Sequence, residues 1–297
     1  MDSIIEINGL TKCFGRKAAV WRLNLSVPRG AIFALLGDNG AGKTTTIRML
    51  TGILKPDAGQ ATILGQDCWA TAVPLRYMIG YVPERPKFYD WMTVGEIGWF
   101  AGGFHGPVFL PRYEDLSRRF GLDRKAKLKN LSKGEYSKVA LCLALAPDPE
   151  VLILDEPTSG LDLFVRRQFL SSMVELAGEG RTILISSHQI AEVERVASHV
   201  AFLAHGRLLL TAALDELRQR LVRFRLRYEE APPDAGTLGR LLSRDGVGKL
   251  WEATILDPDR NAVEALRSTA GVSDFEELPV GLEEAYCALL AQKESTA

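Results

Sequence analysis

The sequence feature that most constrains the fold is a nine-residue, glycine-rich segment that begins at Gly37. It fits the phosphate-binding pattern G-x-x-x-x-G-K-[ST] without a gap, and its residues are Gly37, Asp38, Asn39, Gly40, Ala41, Gly42, Lys43, Thr44 and Thr45. Residues 31–36 before it are wholly apolar, as in a parallel strand buried on both faces. Residues 45–50 continue as a helix. This order predicts a strand, a phosphate-binding loop and a helix.

The residue types in this segment suit the binding of phosphate. Glycines let the backbone curl so that successive N–H groups point at a phosphate, and the helix N-terminus adds about half a positive charge. Lys43 supplies a mobile point charge for the β- and γ-phosphates, and the Thr44 hydroxyl can ligate Mg²⁺. A glycine-rich turn that binds nothing is the alternative, and the flanking strand and helix argue against it.

The composition is that of an ordinary globular protein, with 46% hydrophobic and 25% charged residues among 297. The net charge of −1 gives no overall basic field, so we expect no nucleic-acid partner. The N-terminus carries Asp2 and Glu6 and does not resemble a signal peptide. No apolar run is long enough to cross a bilayer, so work at a membrane would need a spanning partner chain. The four scattered cysteines favour free thiols in a reducing compartment.

Short apolar runs alternate with helical patterns along the first part of the chain. Strands are predicted at residues 4–10, 23–27, 31–36, 60–65, 79–84, 151–156 and 182–186, and helices at 45–50, 131–146 and 163–177. Such alternation indicates a parallel α/β sheet. The helical, aromatic-rich stretch that starts at residue 85 predicts an inserted helical subdomain at about 85–150, with a loop at 102–111.

The pattern changes near residue 214, which predicts one domain at residues 1–214 and a second at 215–297. Apolar residues alternate strictly with arginines at 222–228, as in a strand with one solvated face. Strands at 251–256 and 272–278 and helices at 259–268 and 282–292 complete a small α+β domain. We expect the arginine face to be solvated rather than to bind a partner or anionic lipid.

Two adjacent carboxylates end the apolar strand at 151–154. Asp155 is placed to hold Mg²⁺, as phosphoryl transfer requires, and Glu156 to orient or deprotonate an attacking water. Adjacent buried carboxylates are costly unless a cation or water uses them. A solvated strand end without a function is the alternative.

With these residues in place, the chain resembles the ATP-binding subunit of ABC transporters over residues 4–210. The family's five marks occur in order: the phosphate loop at 37–45, the signature-like stretch at 131–135, the apolar strand with its two acids at 152–157, the short loop at 159–162 and His188. The resemblance implies an α/β P-loop NTPase core with an antiparallel β subdomain and an inserted helical subdomain. The small C-terminal α+β domain would be an addition to that core.

The resemblance also implies roles for particular residues. Phe14 matches the aromatic position that stacks on adenine, with a core phenylalanine as the alternative. Ser132 and Gly134 match positions that touch the γ-phosphate bound by the opposite subunit, so two subunits would sandwich two ATP molecules. Asp162 matches a loop that communicates across that interface, and His188 a residue that contacts the γ-phosphate and aids hydrolysis.

Three positions depart from the family pattern. Lys133 replaces the first glycine of the usual LSGGQ signature and Glu135 replaces its glutamine, while Gly134 is retained, so function is expected to survive. Glu84 stands where the family has a glutamine that senses Mg²⁺ and water. A carboxylate there could ligate Mg²⁺ more strongly but adds repulsion near Glu156, which leaves the hydrolysis rate open.

The resemblance is strongest to subunits of ABC-2-type exporters. It implies a peripheral ATPase on the cytoplasmic side of the plasma membrane, working as a homodimer, or as a heterodimer with a related ATPase, beneath a separate integral-membrane permease. The aromatic residues Phe88, Tyr89 and Trp91 match a groove for a permease helix, and a core role for half of them is equally compatible.

Three other functions remain open at the level of sequence. A soluble ABC ATPase that acts on ribosomes or DNA would usually carry two nucleotide domains or a long coiled-coil insertion, and neither is present. A metabolite kinase would leave Ser132 and Glu156 without a role. A non-catalytic regulatory module is motivated only by Glu84 and Lys133.

Overall fold

The structure, a computed structural model, describes residues 2–294 and contains three β-sheets and ten α-helices in that range. The strands are β1 (Ser3–Phe14), β2 (Lys17–Pro28), β3 (Ile32–Leu36), β4 (Ala58–Ile63), β5 (Gln66–Asp67), β6 (Ile79–Val82), β7 (Val151–Asp155), β8 (Thr182–Ser187), β9 (His199–Ala204), β10 (Arg207–Ala213), β11 (Leu221–Tyr228), β12 (Arg240–Val247), β13 (Leu250–Leu256) and β14 (Val272–Pro279). The helices are α1 (Lys43–Leu50), α2 (Ala72–Met78), α3 (Val94–Gly102), α4 (Phe109–Arg119), α5 (Lys133–Leu145), α6 (Leu163–Gly178), α7 (Ile190–Val193), α8 (Leu214–Arg220), α9 (Arg260–Arg267) and α10 (Leu282–Glu294).

The central sheet has six strands in the order β10-β9-β3-β8-β7-β6. All neighbouring pairs are parallel except β9 and β10, which confirms the predicted α/β core. Strands β3, β7 and β8 are buried along their whole length, as their apolar sequences predict. Because they are neighbours, the loops at their carboxyl ends meet at one edge of the sheet, where ligands of open α/β folds bind.

An antiparallel sheet in the order β2-β1-β4-β5 forms the β subdomain. Strand β1 runs to Phe14, so the predicted strand at 4–10 was too short. Residues 12–14 pair with β2, with Cys13 opposite Ala18, Thr11 pairs with Ala58 of β4, and Gly15 turns the hairpin at φ +59. The polar residues at 11–12 interrupt the apolar pattern, and the strand was therefore predicted to end before them.

Helices α3, α4 and α5 form the inserted helical part around their own buried cluster, which includes Val94, Tyr113 and Val139. The predicted loop at 102–111 was too long, since α4 begins at Phe109. Proline is tolerated in the first turn of a helix, where the N–H groups lack intrahelical partners, so Pro111 does not exclude a helix there.

The C-terminal sheet is antiparallel with the order β12-β13-β11-β14. Its strand β11 confirms the predicted alternation, because Phe224 and Leu226 are fully buried while Arg227 is exposed. The last helix, α10, packs both on this sheet and on the core. Its residues Leu282 and Tyr286 share one buried cluster with strands of the central sheet, which joins the end of the chain to the core. The domain boundary at 214/215 stays a prediction.

Candidate functional site

The glycine-rich loop joins β3 to α1 at the carboxyl edge of the central sheet. Gly42 adopts φ +109 at the start of α1, and a Cβ there would lie 2.5 Å from the carbonyl oxygen of Ala19. Only glycine therefore fits this position without strain. Helix α1 begins at Lys43, two residues earlier than predicted, so its N-terminal N–H groups face the loop directly.

Lys43 is buried inside the loop rather than extended into solvent. Its Nζ donates hydrogen bonds to the carbonyl oxygens of Gly37 at 2.6 Å and Asp38 at 3.1 Å. It also lies 3.0 Å from Oε1 of Glu156 at the end of β7. The Lys43 ammonium thus connects the loop after β3 to the carboxylate that follows β7, two strands away in the sheet. A phosphate bound in the loop would take the place of this carboxylate beside the lysine.

Asp155 ends β7 with its side chain almost completely buried. Its Oδ1 accepts hydrogen bonds from Ser186 Oγ at 2.7 Å and from Thr44 Oγ1 at 3.1 Å. Burial raises the pKa of Asp155 above its usual range, and the hydroxyls partly oppose this shift. A buried carboxylate of this kind gains most from a bound cation.

Thr44 and Asp155 together offer a hydroxyl and a carboxylate oxygen, which are ligand types that Mg²⁺ accepts. Within residues 2–294 there is no group of three His, Cys, Asp or Glu side chains that could hold a metal. The donor set therefore fits an ion that takes its other ligands from phosphates and water, and does not fit a site closed by protein alone.

Glu156 follows with a left-handed backbone, φ +47, which turns its side chain away from the strand direction. Its N–H donates to Ser186 Oγ at 2.9 Å, and its Oε2 lies 2.7 Å from His188 Nδ1. The His188 N–H also donates to Oε2 at 3.3 Å. Ser186 was not predicted as a site residue, although it bonds to both acidic residues and is the penultimate residue of β8.

A cleft of about 570 Å³ opens over these groups. Ten of its lining residues belong to the predicted phosphate loop, strand ends and adenine position, and four were not predicted: Lys17, Ala19, Arg85 and Ser159. Phe14 is 55% exposed at this cleft, so it is not the core phenylalanine of the alternative interpretation. Glu84 also lines the cleft, with its Oε1 3.5 Å from Arg85 Nε.

Ser132, Gly134 and Asp162 do not line this cleft in the described chain. Ser132 begins α5 as its N-cap, and both its hydroxyl and its N–H donate to Glu135 Oε2, at 2.7 and 2.8 Å. These bonds hold the pKa of Glu135 below its usual range. A Cβ on Gly134 would lie 2.7 Å from Val165 Cγ1, so close packing of α5 on α6 also requires glycine there.

Asp162 is the N-cap of α6, where its Oδ1 accepts the N–H groups of Phe164 and Val165 at 3.0 Å each. The Nζ of Lys133, which replaces the first glycine of the signature, lies beside Gly160, 2.2 Å from the point where a Cβ would stand. The signature-like stretch and the Asp162 loop are therefore packed against each other within one chain.

The family description "ABC transporter" matches residues 20–159. The probable multidrug ABC transporter ATP-binding protein YbhF of Escherichia coli is 36% identical over 225 residues, which are 73% of this chain and 38% of the relative. The daunorubicin/doxorubicin resistance ATP-binding protein DrrA of Streptomyces peucetius is 31% identical over 302 residues, which cover 96% of this chain and 92% of the relative.

Solved structures agree with these relatives. An ATP-binding subunit of an ABC transporter is 31% identical, with a TM-score of 0.66 over 73% of this chain and 92% of that one. The chain spans little more than a third of YbhF but nearly all of DrrA, including the part that follows the ATP-binding core. The chain belongs to the family of ABC transporter ATP-binding proteins.

Proposed function

We propose that this chain binds and hydrolyses ATP with Mg²⁺ in a closed dimer, and that closure drives a separate membrane-spanning partner. The observation that carries the proposal is the contact of Lys43 with Glu156 at the phosphate loop, beside the pair formed by Thr44 and Asp155. Family membership supports the same function, since the relatives are ATP-binding proteins of transporters.

The geometry supports an order of events at the site. Without nucleotide, Lys43 neutralises Glu156, and an incoming ATP would draw the lysine to its β- and γ-phosphates. This exchange frees the Glu156 carboxylate to orient or deprotonate a water. His188, 2.7 Å from the same carboxylate, then holds it in place and faces the γ-phosphate. Bound Mg²⁺, held by Thr44 and Asp155, would neutralise charge on the phosphates.

The proposed dimer uses predicted site residues that lie outside this cleft. Ser132 and Gly134 begin α5, whose N-terminus presents N–H groups suited to an anion. They do not line the cleft of their own chain, and we propose that they contact the ATP held by a second copy once the Glu135 carboxylate has released Ser132. Two copies related by a two-fold axis would complete two sites, and Asp162 would lie at the same interface. A related ATPase subunit could take the place of the second copy.

The membrane partner is proposed from a surface that we call the aromatic patch, which consists of Tyr89, Trp91, Phe100 and Phe104. Tyr89 is 53% and Trp91 65% exposed, and neighbouring rings of the patch lie 5.5 to 6.0 Å apart between centroids. Exposed, contiguous aromatic side chains commonly mark protein contacts. Phe88 differs, since it packs on Tyr136 inside the helical part.

None of the helices in residues 2–294 combines the length and the apolar character needed to span a bilayer. The permease is proposed as a second chain, with this subunit on its cytoplasmic face. The alternative, an ABC ATPase not coupled to transport, makes no use of the aromatic patch, which favours the permease.

The decisive experiment compares the wild type with Glu156→Gln. We expect the wild type to hydrolyse ATP only with Mg²⁺, and Glu156→Gln to lose hydrolysis yet form a dimer with ATP and Mg²⁺, measured by size-exclusion chromatography with light scattering. Glu150→Gln, at the opposite end of the same strand, is the matched control and should behave as the wild type. A Glu156→Gln protein that stays monomeric with ATP and Mg²⁺ would contradict the proposal.

A further inference from the structure

The hydroxyl of Tyr286 reaches the phosphate loop from the last helix of the described chain. It accepts a hydrogen bond from the Asp38 N–H at 3.0 Å and donates to Asp38 Oδ2 at 3.0 Å. The carbonyl oxygen of Leu203, at the end of β9, lies 3.4 Å away. The tyrosine is only 4% exposed, and its ring packs on Phe202 with centroids 5.5 Å apart.

Helix α10, which carries Tyr286, is also attached to the C-terminal sheet. Glu284 pairs with Arg223 of β11 at 3.0 Å, and Gln292 Nε2 donates to the carbonyl oxygen of Leu241 in β12 at 2.7 Å. Towards the core, the Leu282 N–H donates to Glu194 at 3.5 Å. The helix therefore links the C-terminal sheet to the nucleotide-binding core, and Tyr286 is its contact with the loop.

Asp38 is the second residue of the loop, and three of its groups are engaged. Its N–H and carboxylate bond to Tyr286, while its carbonyl oxygen accepts from Lys43 Nζ at 3.1 Å. The tyrosine therefore fixes the residue that in turn holds the lysine. A loop held in its binding shape before the ligand arrives loses less conformational freedom on binding, which raises affinity.

We propose that Tyr286 is a positioning residue for the phosphate loop, through which the C-terminal sheet and α10 set the affinity for ATP. This inference rests on the proposed function, since it assumes that the loop binds nucleotide. Such coupling is reciprocal. The factor by which the docked α10 raises the affinity for ATP is also the factor by which bound ATP favours the docked position of α10. The buried environment raises the pKa of Tyr286 to about 12, so the hydroxyl keeps its proton and donates at neutral pH.

The test is Tyr286→Phe in the full chain, which removes the hydroxyl and keeps the buried ring. Both hydrogen bonds between the hydroxyl and Asp38 are lost. We expect the dissociation constant for AMP-PNP with Mg²⁺, measured by calorimetry, to rise roughly three- to tenfold, within the net range of such bonds. Tyr228→Phe is the matched control, because Tyr228, in β11 of the C-terminal sheet, donates one hydroxyl hydrogen bond to the carbonyl oxygen of Gly248 and does not touch the loop. Its dissociation constant should equal that of the wild type.

A second readout separates positioning from mere packing. In the wild type, AMP-PNP should slow amide hydrogen exchange in α10, and in Tyr286→Phe this protection should fall. If Tyr286→Phe binds AMP-PNP as tightly as the wild type, or if Tyr228→Phe loses as much affinity for AMP-PNP as Tyr286→Phe does, the inference is overturned. Should Tyr286→Phe not fold, Asp38→Ala removes the carboxylate from the other side, and wild-type affinity in that variant would overturn it equally. A wild type that binds no AMP-PNP would instead refute the proposed function.

Discussion

Lys43 Nζ and Glu156 Oε1 lie 3.0 Å apart, with only 5% and 8% of the two side chains exposed. Removal of one charge from a buried pair leaves the other without compensation. We therefore expect Lys43→Met to lower the free energy of unfolding by about 3 kcal/mol at pH 7. The double variant Lys43→Met/Glu156→Gln should regain most of this loss. Urea denaturation of the four proteins measures the coupling, and additive effects would show that the contact is energetically unimportant.

The carboxylate of Glu84 faces the cleft and is more than one third exposed, with its nearest basic partner, Arg85, 3.5 Å away. Such a contact contributes little, so Glu84→Gln should keep kcat for ATP hydrolysis within about tenfold of the wild type. Glu84→Ala, which removes the oxygen ligand altogether, should reduce kcat further. Steady-state kinetics over a range of Mg²⁺ concentrations checks both values. Complete loss of activity in Glu84→Gln would show that the negative charge itself is required.

The aromatic patch should be important for the membrane partner and not for hydrolysis. Tyr89→Ala and Trp91→Ala should leave ATPase activity of the isolated chain unchanged, since neither residue lines the nucleotide cleft. Recovery of the membrane partner in co-purification should fall, because buried aromatic anchors contribute about 2 kcal/mol each. Trp69→Ala, an exposed tryptophan outside the patch, is the control. Normal recovery with both patch variants would place the contact elsewhere.

Asp148 pairs with Arg181 at 2.7 Å and with Arg112 at 2.9 Å. Both contacts lower the pKa of the Asp148 carboxyl, and the hydrogen bond from Arg181 lowers it most. A lowered pKa contributes stability above the unfolded value of about 3.9, and this stability is lost as the pH falls through the folded value. We expect Asp148→Asn to cost up to about 1 kcal/mol at pH 7.

The difference between Asp148→Asn and the wild type should shrink as the pH is lowered from 5 to about 3, in urea titrations at each pH. Asparagine also tolerates the left-handed backbone of this position, φ +63, so the comparison isolates the charge. A difference that stays constant over this range would mean that the carboxylate charge does not stabilise the fold.

Local patterns in the sequence were sufficient for the centre of the fold. Burial can be predicted from the apolar runs of β3, β7 and β8 and from the alternation in β11, because it depends on the type of each residue. The structure confirms these four strands. The ordered motifs then located the cleft. Strand β12 escaped prediction because Leu242 is its one fully buried residue, so its sequence lacks a clear period.

Other parts of the site depend on contacts between distant residues, which no local pattern reports. Ser186 bonds to both acidic residues from a strand 30 residues further along the chain. Tyr286 is 248 residues from its partner Asp38. The adenine-stacking role of Phe14, the γ-phosphate role of His188 and the interface roles of Ser132, Gly134 and Asp162 stay predictions.

The capping contact of Ser132 with Glu135 has a consequence for the resting subunit. The Glu135 carboxylate bonds to the Ser132 hydroxyl and N–H, the groups predicted to bind the γ-phosphate of a second copy. On that prediction, the phosphate has to displace the carboxylate when two copies close. The capping contact would form again, and favour opening of the dimer, once the phosphate leaves.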